Sequence, residues 1–337
     1  METPPFNLSA NVASLLTHIT EEVTRMQMRG DFERILKLRK QNRILSIHSS
    51  TAIEANTLSL KQVTDIINGK EVDGDKKEIL EVKNAWNAYE KITDYDPYSI
   101  SDFLYAHSLM TDGLVKESGK FRKGNVGVFS SGKLVHPGAR PQYISDLVSN
   151  LFEWANGSDY HPLIKSCVVH FELEFIHPFA DGNGRIGRLW QSLILSKWQE
   201  IFAWIPIENV IYENNNLYYK ALNKSEKLND SGFFVEFMLQ TILETIKDKK
   251  MKGEIVPKNK PSNKPSNKSA DDGINNSVSN LILEAMQKDK SITANELVEK
   301  TNASIRTIER AISKLQKEGK LKRVGSRKTG YWEVKGS

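Results

Sequence analysis

The segment HPFADGNGRIGR at residues 177–188 concentrates side chains that handle phosphate. Its Gly-Asn-Gly turn at 182–184 leads into a predicted helix, where free backbone N–H groups and the helix dipole attract anions. Arg185 and Arg188 are three residues apart, so they share one face of that helix and can fork onto phosphate oxygens. The segment therefore predicts a site for a polyphosphate.

Two further residues of the same segment can supply metal and acid–base chemistry. Asp181 offers a hard oxygen ligand directly before the turn, which suits a Mg²⁺ ion that bridges phosphates. His177 precedes Pro178 on a loop, and an imidazole that is neutral near pH 7 can accept a proton. The twelve residues together therefore supply an anion cradle, a metal ligand and a proton acceptor.

The order of these residues matches the signature H-x-F-x-D/E-G-N-G-R-x-x-R at every position, so the chain resembles the Fic family over roughly residues 45–245. The preceding HFELEFI, with His170 and Glu174, resembles the family's lead-in helix. The resemblance implies a protein adenylyltransferase that uses ATP and Mg²⁺ to place AMP on a Ser, Thr or Tyr hydroxyl. Because both arginines are present, it favours AMP transfer over the Doc-type kinase branch.

The resemblance also implies a role for each member of the segment. His177 is expected to be the general base, Phe179 to anchor the loop by packing, and Asp181 to hold Mg²⁺. Arg185 is expected at the β-phosphate and Arg188 at the γ-phosphate. The α-phosphorus would be attacked while pyrophosphate leaves, so catalysis would consist of positioning and charge neutralisation.

Two supporting segments belong to the same family picture. LYYKAL at 217–222 resembles the segment whose tyrosine lies beside the adenine, and Tyr219 is favoured over Tyr218. Residues 125–137 predict a hairpin, which resembles the flap that pairs with a target segment as an added strand. An ordinary edge hairpin fits the same residues. The expected nucleotide-binding residues are Gly182, Asn183, Gly184, Arg185, Ile186, Gly187, Arg188 and Tyr219.

An inhibitory element is expected before the catalytic region. Ser50 and Glu54 are four residues apart, one helical turn, and resemble the inhibitory motif S/T-x-x-x-E-G/N of self-inhibited family members. The resemblance implies that Glu54 pairs with Arg188 and keeps the γ-phosphate from its productive place. Ala55 stands where that motif has Gly or Asn, which leaves the end of the helix open. Whether Glu54 also assists AMP removal stays open as well.

Apolar residues at helical spacing predict helices at 31–48, 147–155, 163–176, 189–199 and 233–246. The expected fold is mainly α: a Fic-type helical bundle with a small β-hairpin flap, followed by a winged-helix α+β domain. The expected divisions are an N-terminal helical region at 1–100 with the inhibitory motif at 50–56, a catalytic core at 101–248, a linker at 249–277 and a winged helix at 278–337.

The C-terminal part carries the positive charge of the chain. Residues 1–248 carry a net charge of −5, 249–277 carry +4 and 278–337 carry +6. The KPSN repeats of the linker bury too little surface to fold, which indicates a flexible tether. In the last segment, 304–316 is typical of a recognition helix and 323–328 of a basic wing, so DNA is an expected partner; a protein-contact role remains the alternative.

Composition narrows the class of protein further. The single cysteine, Cys167, excludes an intramolecular disulfide, and the sequence contains neither a secretory signal nor an apolar run long enough to span a membrane. A cytoplasmic location is therefore expected, without a membrane partner, and a homo-oligomer is compatible with the sequence. Two other functions fit the residues: an ATP-sensing DNA-binding regulator, and a Fic transferase of another group such as UMP or phosphocholine. His177 favours an enzyme, because a sensor needs no base.

Overall fold

The computed structural model describes the greater part of the chain. The described residues are 3–125, 128–130, 133–136, 138–248, 282, 283, 285–287, 289, 292, 296, 297, 312, 315, 316, 320–324 and 331–334. They fall into two compact units, Met1–Pro257 and Lys258–Ser337. No helix among these residues is long and apolar enough to cross a membrane.

The first unit is a bundle of helices with one hairpin. Its first half contains α1 (Ala10–Met28), α2 (Asp31–Lys37), α3 (Arg39–Ile53), α4 (Leu60–Ile67), α5 (Lys76–Glu90) and α6 (Ile100–Thr111). Its second half contains α7 (Ile144–Gly157), α8 (Pro162–Ile176), α9 (Asn183–Trp198), α10 (Ile207–Glu213), α11 (Asn215–Leu228) and α12 (Gly232–Lys247). Short 3-10 helices at Pro141–Tyr143 and Glu200–Trp204 precede α7 and α10.

Polar side chains begin three consecutive helices of the first half. Ser59 forms a capping box with Gln62 at the start of α4, Asp75 accepts two backbone N–H bonds at the start of α5, and Ser99 accepts one at the start of α6. Each cap satisfies donors that a helix N-terminus otherwise leaves open, at a gain of about 1 kcal/mol. These caps decide where the helices around the site begin.

The hydrophobic core centres on α8 and α9, most of whose residues are buried. One continuous apolar cluster runs from Val12 in α1 to Ile246 in α12, so the helices of residues 1–100 share the core of residues 101–248. The N-terminal segment is attached to α12 by polar bonds as well: Ser9 Oγ donates to the Glu236 carboxylate at 2.7 Å and Asn11 Nδ2 donates to it at 2.9 Å.

Two of the predicted helices differ in their bounds. The single helix expected at 31–48 is interrupted at Leu38, which separates α2 from α3. The helix expected from residue 189 begins earlier, at Asn183, because Gly182 adopts a left-handed φ of 82° and turns the chain directly into it. The Gly-Asn-Gly turn is therefore the first turn of α9, the central helix.

The predicted hairpin is present as an antiparallel pair. Its strands are β1 (Val128–Ser130) and β2 (Lys133–His136), with a register shift between Val128 and Phe129. A bulge of this kind increases the local twist of an edge. The fold class expected from sequence is confirmed: a mainly α unit carries a small two-stranded sheet.

The second unit has its own small core. Its antiparallel strands β3 (Leu321–Val324) and β4 (Tyr331–Val334) pair in regular register. Among its described residues, the buried hydrophobic cluster consists of Ile282, Met286, Ile292, Leu297, Ile312, Leu315, Leu321 and Trp332. The expected linker 249–277 and most of the expected recognition helix 304–316 and wing 323–328 lie outside the described residues.

Helix α3 ends at Glu54 although the inhibitory motif departs from the family pattern there. Ala55 has a left-handed φ of 69°, the position that Gly or Asn usually occupies after a helix. The next residue secures the turn, because Asn56 Nδ2 donates to the Glu81 carboxylate at 2.9 Å and Asn56 Oδ1 accepts the Leu58 N–H at 3.1 Å. The strained left-handed conformation after α3 is thus adopted by Ala55 rather than by a glycine.

Replacing this alanine with glycine should stabilise the protein. Ala55→Gly removes a left-handed alanine, and the gain, reduced by the extra freedom of glycine in the unfolded chain, should be about 0.5–1 kcal/mol in the free energy of unfolding. Ala52→Gly, in the last turn of the same helix, should lower that free energy by about the same amount. Urea unfolding of both variants checks this; a destabilised Ala55→Gly would contradict it.

Candidate active site

A cavity of about 220 Å³ lies against the N-terminus of α9. Residues of the 177–188 segment meet there with residues from the end of α3, from α8 and from α11. Its lining consists of Glu54, Phe171, Glu174, Phe175, His177, Ala180, Asp181, Gly182, Asn183, Gly184, Arg188, Tyr218, Tyr219, Leu222, Asn223 and Glu226. The cavity therefore combines the glycine-rich turn, an imidazole, carboxylates and aromatic rings in one place.

Arg188 is held from α3 by three hydrogen bonds. It is 2% exposed, and its Nη2 donates to Glu54 Oε1 at 2.7 Å and to the Ser50 carbonyl at 2.9 Å, while its Nε donates to Ser50 Oγ at 3.0 Å. Burial alone would lower the pKa of Arg188, but the nearby Glu54 carboxylate, together with Tyr218 and Glu174, more than offsets that effect and the pKa lies above its usual range. Arg188 is therefore a buried, permanently charged group whose charge is compensated by Glu54 and Ser50 at the end of α3.

Gly184 creates the room for this contact. A Cβ atom at Gly184 would collide with Glu54 Oε1 and lie 3.0 Å from Arg188 Nη1. The Glu54 carboxylate thus occupies the first turn of α9, where backbone N–H groups and the helix dipole favour a negative charge.

The loop between α8 and α9 is fixed by its own side chains. Asn183 bonds to the backbone of Phe179 in both directions: its Oδ1 accepts the Phe179 N–H and its Nδ2 donates to the Phe179 carbonyl, each at 2.9 Å. The ring of Phe179 is fully buried and stacks on His107 at a centroid distance of 3.6 Å. The asparagine of the turn therefore ties the loop closed.

His107 in α6 anchors the same loop, a role that the sequence pattern did not indicate. The Gly119 N–H donates to its Nδ1 at 3.0 Å, so Nε2 carries the proton and donates to the Asp181 carbonyl at 2.9 Å. Burial lowers the pKa of His107 to about 4, which keeps the ring neutral. A buried histidine on a helix has no distinguishing sequence signal, so only the three-dimensional contact identifies it.

Two residues of the loop place their polar atoms at the mouth of the cavity. His177 follows α8 with a left-handed φ of 53°, and its Nδ1 lies 3.3 Å from the Glu174 carbonyl. Asp181 is 47% exposed, and its Oδ1 accepts the Gly182 N–H at 2.6 Å and Arg185 Nη2 at 3.3 Å. Among the described residues Asp181 Oδ2 has no hydrogen-bond donor, so one carboxylate oxygen is available for a cation.

Arg185, Ile186 and Gly187 do not line the cavity. The side chain of Arg185 is 4% exposed and lies between Asp181 and Glu81, with its Nε and Nη1 lacking a hydrogen-bond partner among the described residues. Ile186 is fully buried in the core, and Gly187 allows α9 to approach His170 on α8. Of the expected nucleotide-binding residues, the cavity thus brings together Gly182, Asn183, Gly184, Arg188 and Tyr219.

The two tyrosines of α11 differ in surroundings. Tyr218 is 1% exposed and its hydroxyl lies 3.1 Å from His170 Nε2 and 3.4 Å from Glu174 Oε1. Tyr219 is 41% exposed on the open side of the cavity, and partial burial raises its pKa to about 12. Tyr218 is therefore a core residue, and Tyr219 presents a ring to whatever occupies the cavity.

Glu174 is a second carboxylate in the cavity wall. Burial raises its pKa to about 7, an effect that the charge of Arg188 reduces and that of Glu54 increases. Glu174 is therefore partly protonated near neutral pH, beside a group that carries a fixed positive charge.

Comparisons with known proteins agree with this geometry. Residues 97–195 match the Fic/DOC family, and residues 278–322 match the winged helix-turn-helix DNA-binding family. A Fic family protein from Desulfovibrio desulfuricans G20 has a similar structure over 100% of this chain and 99% of its own, with a TM-score of 0.72 and 32% sequence identity. The chain belongs to the Fic family.

Curated relatives carry a more specific name. The protein adenylyltransferase Fic of Aedes aegypti is 29% identical over 219 residues, which cover 61% of this chain and 42% of the relative. The protein adenylyltransferase fic-1 of Caenorhabditis elegans is 26% identical over 214 residues, covering 60% and 40%. The chain thus spans about two fifths of the length of these relatives.

Loss of His107 should destabilise the loop that carries the site. His107→Ala removes a buried ring and leaves the Gly119 N–H and the Asp181 carbonyl without partners, so the free energy of unfolding should fall by about 3 kcal/mol. His18→Ala, on the exposed face of α1, should change it by less than about 0.5 kcal/mol. Urea unfolding measures both, and a cost below about 1 kcal/mol for His107→Ala would show that His107 is not an anchor.

Proposed function

We propose that this protein transfers AMP from ATP to the hydroxyl of a Ser, Thr or Tyr residue of a protein, including itself. The observation that carries the proposal is the cavity in which His177, the turn at 182–184, Arg188 and Tyr219 meet. The names of the curated relatives point to the same activity.

The turn at the start of α9 would receive the phosphates. Backbone N–H groups and the helix dipole attract them there, and Arg188 on the next turn would contact the γ-phosphate. Arg185 would contact the β-phosphate: it makes one long hydrogen bond to Asp181 and a 3.9 Å ion pair with Glu81, and its Nε and Nη1 have no hydrogen-bond partner among the described residues, so leaving Asp181 costs little. Tyr219 on α11 would lie beside the adenine.

Asp181 fits a Mg²⁺ ion. Mg²⁺ usually binds through one or two carboxylates and the phosphates of the substrate, with water completing the octahedron. Among the described residues, no three or more His, Cys, Asp or Glu side chains cluster to hold a metal ion by themselves. The exposed Asp181 carboxylate is the ligand that this chain supplies, and the ion would neutralise charge on the phosphates.

His177 would act as the general base. His177 Nδ1 lies 3.3 Å from the Glu174 carbonyl, and in the tautomer that carries its proton on Nδ1 the other ring nitrogen, Nε2, would accept the proton of the target hydroxyl. The hydroxyl oxygen then forms a bond to the α-phosphorus, the bond from that phosphorus to the bridging oxygen breaks, and pyrophosphate leaves with the electron pair. The hairpin β1–β2 would present the target segment as an added strand.

Glu54 would act as a brake on this reaction. Its carboxylate already holds Arg188 and occupies the first turn of α9, where it would repel a γ-phosphate. ATP must either move the Glu54 carboxylate away from Arg188 or bind with its γ-phosphate outside the productive position. Either outcome lowers the rate of AMP transfer. The resting protein should therefore be nearly inactive.

Removing the brake should raise self-labelling. Glu54→Gly should increase incorporation from α-labelled ATP with Mg²⁺ by about tenfold or more, because Arg188 becomes available to phosphate. Adding His177→Ala to that variant should reduce labelling by about a hundredfold or more. The measurement is incorporation of label followed by mass spectrometry of the modified residue with each nucleoside triphosphate, which also distinguishes AMP from another transferred group.

A matched control separates the brake from a general effect of losing a carboxylate. Glu90→Gly replaces the exposed last residue of α5 and should leave labelling unchanged. If Glu54→Gly labels no faster than the unchanged protein, the brake is wrong. If no variant labels itself or proteins of a cell lysate, the transferase proposal is wrong.

We further propose that the C-terminal unit binds DNA. The match of residues 278–322 to a winged helix-turn-helix DNA-binding family and the net charge of +6 on residues 278–337 support it. Binding of this kind relies on neutralising DNA phosphates, which releases counterions. DNA binding would locate the transferase or report its state.

Affinity for DNA should fall steeply with salt. In mobility-shift titrations the dissociation constant should rise about tenfold or more between roughly 50 and 200 mM salt. Arg310→Ala, within the expected recognition helix, should weaken binding by about tenfold, while Lys335→Ala near the end of the chain should matter less. Absence of a shift at the lower salt concentration would favour a protein-binding role for this unit.

A further inference from the structure

Arg122 is a buried cation that the mechanism above does not use. It is 2% exposed, it takes part in none of the ion pairs formed by the described residues, and burial lowers its pKa. Burying a charge without an oppositely charged partner costs several kcal/mol. The charge of Arg122 must therefore be compensated by dipoles of backbone carbonyls. The positions of those carbonyls show which segments Arg122 connects.

The first group of dipoles lies at the C-terminus of α8. Arg122 Nε donates to the His177 carbonyl at 2.6 Å, Nη2 donates to the Ile176 carbonyl at 3.4 Å, and the backbone N–H of Arg122 donates to the Pro178 carbonyl at 3.0 Å. Three successive carbonyls thus bond to one residue, at the helix end where the dipole favours a cation. These bonds hold His177 in its left-handed conformation, which costs about 1–2 kcal/mol for a residue other than glycine.

The second group lies at the two ends of the hairpin. Arg122 Nη1 donates to the Gly124 carbonyl at 2.8 Å, ahead of β1, and Nη2 donates to the Ala139 carbonyl at 2.5 Å, after β2. The Ala139 N–H in turn donates to the Ile176 carbonyl at 3.1 Å. One guanidinium therefore joins both ends of the hairpin to the backbone of His177.

We propose that Arg122 is a positioning residue that fixes the hairpin relative to His177, and so sets the distance between a target hydroxyl presented by the hairpin and the imidazole that deprotonates it. The inference rests on the proposed function for its catalytic consequence. Arg122 does not line the nucleotide cavity. Its loss should therefore affect the transfer step and leave the binding of ATP intact.

The kinetic test uses the Glu54→Gly protein, in which the brake is removed. Adding Arg122→Gln should lower the rate constant of labelling at saturating ATP by about tenfold or more, because a misplaced hydroxyl reacts slowly. The KM for ATP should stay within about twofold. Arg122→Lys should restore part of the rate, since an ammonium group can reach some but not all of the four carbonyls.

The structural test is hydrogen exchange in the protein with Glu54 in place. Arg122→Gln should speed exchange of the Ala139 and His177 amides by about tenfold or more, because both lie where the hairpin and α8 are joined. Arg140→Gln removes the same charge from an exposed residue directly after Ala139 and should change neither exchange nor labelling. If Arg122→Gln does not fold, Arg122→Lys carries both measurements.

The outcomes separate the two proposals. Labelling at the parent rate, a rise in KM for ATP without a fall in the rate constant, or unchanged exchange at Ala139 and His177 would each overturn the role of Arg122. If the Glu54→Gly parent itself transfers nothing to any protein, the proposed function fails, and the catalytic part of the inference fails as well. The exchange measurement then still decides whether Arg122 joins the hairpin to α8.

Discussion

The buried guanidinium of Arg188 is the constraint on which the site depends. A charge that is 2% exposed must be compensated, and α3 supplies the Glu54 carboxylate together with two acceptors of Ser50. A phosphate at the first turn of α9 would need the same charge. The contact between Arg188 and α3 therefore contributes to the packing of the bundle and also inhibits the proposed reaction. A bound nucleotide must compete with this contact.

Helix α3 is also docked by contacts that do not involve Arg188. Ser46 Oγ donates to the buried Glu208 carboxylate at 2.8 Å, and Ser49 Oγ donates to Asn209 Oδ1 at 3.3 Å, both on α10. The helix thus has a second attachment one to two turns before Glu54. Release of the carboxylate need not release the helix, so the inhibitory contact can change while the core stays packed.

The loop between α8 and α9 is held from three directions, and the sequence predicted only that Phe179 anchors it by packing. The motif itself contributes Asn183, which closes the loop onto Phe179. His107 from α6 and Arg122 from the segment before the hairpin have no motif of their own, because a buried histidine or arginine is recognised only by the backbone groups that it meets. Both bond to main-chain carbonyls, which carry no sequence pattern.

The sequence by itself determined the family, the mainly helical class and the identity of the residues that could handle a nucleotide, because glycines, arginines and a histidine at fixed spacing permit few other chemistries. The tertiary structure decided which faces of the helices contact each other. Periodicity places Arg185 and Arg188 on one side of a helix, yet Arg188 lines the cavity while Arg185 lies against Asp181, and Ile186 is buried in the core. Glu54 and Arg188 are 134 residues apart in the chain, and the end of α3 at a left-handed Ala55 brings the carboxylate to the guanidinium. Contacts of that separation follow from how whole helices pack, which no local pattern encodes.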